Sequence, residues 1–169
     1  NRYGRKTRAK MELALTLKDG SCTNIDTDAS WHAATGPILE GDMQAGEHYD
    51  ARLEMPGWAA PGFDDSKWAS VAVGHPDFEP KTVERHPAPP VRVVDELPAK
   101  TLSEPVPGTF VFDFGQNFAG FARLTVKEPA GTRIVLRFAE EIQTNGMVYV
   151  ENLRSARATD TYVCRGGGR

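Results

Sequence analysis

Cysteine is scarce in this chain, with two residues in 169 (Cys22 and Cys164). That excludes a disulfide-dense scaffold and a cysteine-rich metal site. The two sit in distant strand-like segments. A bridge needs Cα atoms within about 7 Å, which spacing does not show, so two unpaired thiols are the simpler reading. No apolar run approaches the roughly 18 residues of a membrane span, and the basic start lacks the apolar region of a signal peptide. No charge sign dominates: the net charge is −3. Nucleic acid is therefore not an expected partner, and the one basic cluster, residues 2–10, reads as a solvated tail or strand edge. The four histidines (His32, His48, His75, His86) have no ligand-like spacing, so no metal site is expected. A nucleophile elbow and a phosphate-binding loop are missing too.

A helical period is also nearly absent, and a period of two replaces it. In 108–141 the aromatics of Phe110, Phe112 and Phe114 fall on alternate positions. One face of that strand can therefore be wholly apolar and buried. Gly115, Gln116 and Asn117 then break the run. Ala122, Leu124 and Val126 alternate with Arg123, Thr125 and Lys127. After a turn at 129–131, Ile134, Leu136 and Phe138 alternate with Arg133, Val135 and Arg137. The pattern predicts antiparallel sheet with one buried and one wet face.

Earlier in the chain, Met11, Leu13, Leu15 and Leu17 predict a strand. Asp19-Gly20 predicts a hairpin turn and residues 22–27 its return. Asp64, Asp65 and Ser66 predict a single capped helical turn before Trp68. Residues 76–107 hold eight of the twelve prolines and read as an extended boundary, with a short edge strand at 91–94. Asn145-Gly146 predicts a second hairpin, 152–159 a polar loop, and 161–164 a final strand. The expected fold is all-β with very little helix: two antiparallel, jelly-roll-like β-sandwich segments, 1–85 and 86–169. Neither half has enough strands to cover its own faces and edges, so the chain reads as a piece of a longer polypeptide.

Glu47, Tyr49, Asp50 and Arg52 form the densest group of functional side-chain types. On a strand, Asp50 and Arg52 share one face, with Glu47 and Tyr49 on the other. Carboxylates and Arg bind sugar hydroxyls and Tyr stacks on rings, so sugar contact is one reading. An internal salt-bridge network pinning a loop to the sheet is the simpler one. Trp31, Trp58 and Trp68 carry the same choice between sugar stacking and core packing. Gln116 and Asn117 either meet a ligand or adjacent domain, or satisfy backbone groups at a bulge beside Gly115. Glu140 and Glu141 are adjacent and point to opposite faces of a strand. They cannot act as a pair across one bond of a bound molecule.

Six motifs in order carry a family resemblance: TDASWHAATGPI, GDMQAGEHYDAR, GW…PGFDDSKW, FDFGQNFAG, PAGTRIVLRFAEE and NG…ENLRSARATDTYV. Together they resemble bacterial α-L-rhamnosidases, an inverting glycoside hydrolase family, over nearly the whole chain. The resemblance implies a multidomain parent: an N-terminal β-sandwich, a second β-sandwich and an (α/α)6 barrel carrying catalysis. On that basis the catalytic acid and base have no counterpart here. The partners implied are the remaining domains, notably the barrel, and L-rhamnose-containing glycans. In some relatives the first sandwich binds L-rhamnose with calcium, whose upstream ligands are missing here, so no cofactor is expected. The uncovered strands are expected to self-associate. A freestanding carbohydrate-binding or adhesive module is the competing expectation, and cellular location is left open.

Overall fold

The computed structural model describes residues 8–74, 84 and 87–167. The N-terminal basic cluster lies partly outside them. His75, His86 and the expected boundary near residue 86 lie wholly outside. Twelve short strands and two single 3-10 turns make up the regular structure, and the described residues contain no α-helix. The protein is all-β.

The chain forms two compact units, and they do not follow one cut in the sequence. The first takes Asn1–Ala34 and Gly57–Val91, the second Thr35–Pro56 and Arg92–Arg169. In the first unit, β1 (Glu12–Thr16) and β2 (Cys22–Asp26) form a hairpin. Gly20 adopts φ +83° at its turn, where the Asp19 carboxylate accepts the Ser21 N–H (2.9 Å). β3 (His32–Ala33) pairs with β6 (Ala69–Ser70). The helical turn expected near residue 65 is instead a hydrogen-bonded turn. Asp64 accepts the Ser66 N–H (3.0 Å), and the Trp68 N–H reaches the Asp65 carbonyl (2.8 Å). Asp64 caps its own local turn, and no helical residues follow to be capped.

The second unit is built on a four-stranded sheet in the order β4 (Ile38–Asp42), β5 (Gly46–Asp50), β12 (Thr159–Val163), β9 (Arg133–Arg137). Two hairpins accompany it: β7 (Thr101–Val106) with β8 (Thr109–Asp113), and β10 (Glu141–Ile142) with β11 (Val148–Tyr149). The second carries Asn145-Gly146 at its turn, with Gly146 at φ +82°. The four-stranded sheet is mixed: β12 is antiparallel to β9 but parallel to β5. A parallel neighbour requires a long crossover, and 108 residues separate the ends of these two strands (159 − 50 − 1).

Three strand expectations need correction. In β8 the buried residue is Val111, while Phe110 and Phe112 are 56% and 54% exposed. The aromatic face points outward, because alternation sets a period and not which side is covered. Residues 122–127 join no strand ladder. Residues 91–94 form no strand, and Val91 and Val94 are almost fully exposed, between prolines that interrupt backbone pairing. The buried hydrophobic residues among those described are Ala51, Val111, Val163 and Cys164, joined by Asp50 and Thr161. The core therefore centres on the β5–β12 contact.

Candidate functional site

The sheet register sorts the side chains of the second unit. Tyr162 lies opposite both Tyr49 and Ile134, so these three share one face. Asp160 and Leu136 belong to the same face. His48, Thr161 and Val135 take the other, with Asp50, Val163 and Arg133.

Within the group 47–52, the side chains of Tyr49, Asp50 and Arg52 are bonded inside the protein. Asp50 is only 6% exposed. It ends β5 and caps a 3-10 turn over Ala51–Leu53, accepting the Arg52 N–H at 3.0 Å. The Arg52 guanidinium also grips it in a fork, Nε to Oδ1 at 2.9 Å and Nη2 to Oδ2 at 2.7 Å. That contact holds the Asp50 carboxyl down at about 2. The strand geometry expected for Arg52 is replaced by this turn, which folds the guanidinium back onto Asp50. Tyr49 donates to Glu54 Oε1 (3.1 Å), and Arg165 bonds Glu54 Oε2 (2.7 Å). Burial, with the Glu54 hydrogen bond, pushes the Tyr49 phenol up. Its ring stacks on Tyr162, centroids 5.7 Å apart and planes 11° from parallel. Glu47 is exposed at its side chain, while its N–H donates to Asp160 Oδ1 (2.8 Å).

The other candidates lie elsewhere. Trp31 belongs to the first unit; its indole N–H bonds the Asp26 carbonyl (3.2 Å) and its carbonyl accepts the Val71 N–H. Gln116 and Asn117 are exposed in the bend after β8. Gly115 supplies φ +70° there, and Asp113, rather than either amide, accepts the Gly115 N–H (2.6 Å). Glu54, Arg165 and Tyr162 went unread as part of the group at 47–52. The two from the chain's end lie more than 100 residues away in sequence, and nothing local marks them.

On the tyrosine face lies an open cavity of about 900 Å³. Tyr49, Tyr162, Leu136, Leu124, Val126, Glu54 and Arg165 are among the residues that line it. The opposite face holds a recess of about 330 Å³ lined by His48, Arg133, Arg137, Thr159, Thr161 and the ion-paired Glu40 and Arg157. Inverting glycoside hydrolysis needs a general acid that keeps its proton near neutral pH, across a gap of about 6.5–9.5 Å from a base. Among the described residues, the carboxyls of Asp19, Asp28, Asp42, Asp50 and Asp64 are displaced downward by hydrogen-bond donors.

Residues 1–95 match the family described as the α-L-rhamnosidase N-terminal domain. Residues 103–169 match the bacterial α-L-rhamnosidase concanavalin-like domain. The chain belongs to the α-L-rhamnosidase family. An α-L-rhamnosidase of Streptomyces avermitilis is 44% identical over 168 residues, covering 99% of this chain but 16% of the relative. One from Formosa agariphila is 37% identical over 157 residues, 90% of this chain and 16% of the relative. The solved S. avermitilis α-L-rhamnosidase, complexed with L-rhamnose, superposes with a TM-score of 0.86 at 45% identity. It is covered over 15% of its length, by 93% of this chain. The Dictyoglumus thermophilum enzyme gives 0.86 at 33% identity, with 94% of this chain and 18% of that one covered. The chain thus spans about a sixth of the length of the curated relatives it matches. A calcium ion takes six to eight oxygen ligands. Among the described residues there is no group of three or more His, Cys, Asp or Glu that could hold a metal ion.

Proposed function

We propose that this chain is a non-catalytic β-sandwich segment of an α-L-rhamnosidase, whose parent hydrolyses terminal α-L-rhamnosyl residues with inversion. Its task is to support and orient the (α/α)6 catalytic barrel. The observation that carries this reading is the internal use of the candidate polar groups. Asp50 is held by Arg52, and Glu54 by Tyr49 and Arg165, so these carboxylates serve the sheet. The exposed Glu47, Gln116 and Asn117 and the half-buried Trp31 remain the positions from which a sugar or an adjacent domain would be met. The relative solved with L-rhamnose makes that sugar the ligand to test.

Purified chain incubated with an aryl α-L-rhamnoside is expected to give no turnover, and turnover would refute the reading. Calorimetric titration with L-rhamnose, with and without calcium, separates support from recognition. A flat titration by folded chain leaves the supporting role. Saturable binding lost on Glu47→Ala or Trp31→Ala would favour a carbohydrate-binding module instead.

A further inference from the structure

Strand β9 forms one edge of the four-stranded sheet. The bonds at either end of its ladder with β12 show which backbone groups face inward. They run from the Cys164 N–H to the Thr132 carbonyl (2.8 Å) and from the Phe138 N–H to the Ala158 carbonyl (2.9 Å). By alternation, the backbones of Ile134 and Leu136 face β12, and those of Arg133, Val135 and Arg137 face away. No described strand pairs with that outer side. The side chains divide by face as well. Ile134 and Leu136 lie on the tyrosine side, while Arg133, Val135 and Arg137 lie on the other. Val135 is 52% exposed. The arginines in ion pairs among the described residues are Arg52, Arg123, Arg157 and Arg165, so within those residues neither arginine of β9 has a carboxylate partner, and Arg133 donates instead to the Thr161 hydroxyl (3.4 Å).

We propose that the β9 edge receives a strand from the part of the parent chain outside these 169 residues. That strand carries acidic residues opposite Arg133 and Arg137, alternating with apolar residues on the tyrosine side. The inference rests on reading the chain as a segment of a larger enzyme. Three observations select this occupant. The outward N–H and C=O groups of three alternate residues are a template for strand addition. The relatives are about six times longer than the stretch matched, so ample chain is at hand. Charge argues against a second copy. Antiparallel self-pairing centred on Val135 sets Arg133 opposite Arg137 twice, and like charges directly opposite destabilise a sheet. Because Leu136 lines the 900 Å³ cavity, an added strand with apolar alternates would also extend that cavity's lining.

The test titrates the isotope-labelled chain with two capped pentapeptides, Glu-Val-Thr-Val-Glu and Lys-Val-Thr-Val-Lys. The acidic peptide is expected to shift the Arg133, Val135 and Arg137 amides, slow their hydrogen exchange, and bind at least tenfold more tightly than the lysine peptide. Val135→Pro removes one outward N–H and leaves the bonds to β12 untouched, and should abolish binding while the β5 and β12 amides keep their shifts. The surface variant Arg133→Glu/Arg137→Glu should reverse the preference. Equal binding of both peptides, binding by neither, or binding that survives Val135→Pro would overturn the proposal. Rhamnoside turnover by the chain would refute the functional reading alone, so the two failures are distinguishable.

Discussion

Asp50 joins two elements through one carboxylate. It closes β5, caps the turn that follows, and receives the Arg52 guanidinium with both oxygens. Its ionised form is therefore favoured in the folded state, with a carboxyl at about 2 against an ordinary value near 3.8. A depressed pKa gives stability that is present above the unfolded value and lost as pH falls through the folded one. Thermal melts are expected to show wild-type chain losing stability between about pH 4 and pH 2. Asp50→Asn should start from a lower midpoint at pH 7 and vary less across that window, and parallel pH profiles would contradict this account. The pairing of Asp50 with Arg52 was legible because they are neighbours in sequence with complementary charge. The roles of Glu54 and Arg165 were not, because the bond between them spans 111 residues.

At the scale of elements, the sequence specified periods and turns well and partners poorly. The Asp19-Gly20 and Asn145-Gly146 turns fold where their chemistry demands φ > 0, so both hairpins were readable. The inward face of β8 was not, because Phe110 and Val111 begin equally regular alternations and only a covering layer selects between them. Residues 122–127 have strand periodicity without a ladder for the same reason: alternation encodes extension, and a neighbour must supply the hydrogen bonds. The parallel β5–β12 contact has no local signal at all. It depends on close approach at Gly46, where φ is +104° and an added Cβ would lie 2.2 Å from the Thr159 carbonyl oxygen. Gly46→Ala is expected to cost about 1–3 kcal/mol and to speed hydrogen exchange at Thr161 and Val163. Gly36→Ala, with open space around it, is the control and should change little. Equal effects at the two glycines would show that the β5–β12 junction does not depend on this approach.

For the whole molecule, the decisive property is how little is covered. The described residues include no large side chain that is fully buried, while Leu102, Phe110 and Phe112 stand exposed on one hairpin. The isolated chain is expected to bind a hydrophobic dye strongly and to associate as concentration rises. Light scattering on Phe110→Thr/Phe112→Thr should show that association reduced with the thermal midpoint nearly unchanged, since these rings are more than half exposed already. A compact monomer at high concentration, with no dye binding, would oppose this expectation. The bond between β5 and β12 also sets a timetable for biosynthesis. β5 is made early, yet its hydrogen-bonded neighbour begins at Thr159. On the ribosome, residues 46–50 must wait for more than 100 further residues before their sheet can close, and non-local pairing of this kind slows folding. A nascent chain halted before residue 159 should therefore lack the Tyr49–Tyr162 stack and expose Tyr49 to solvent.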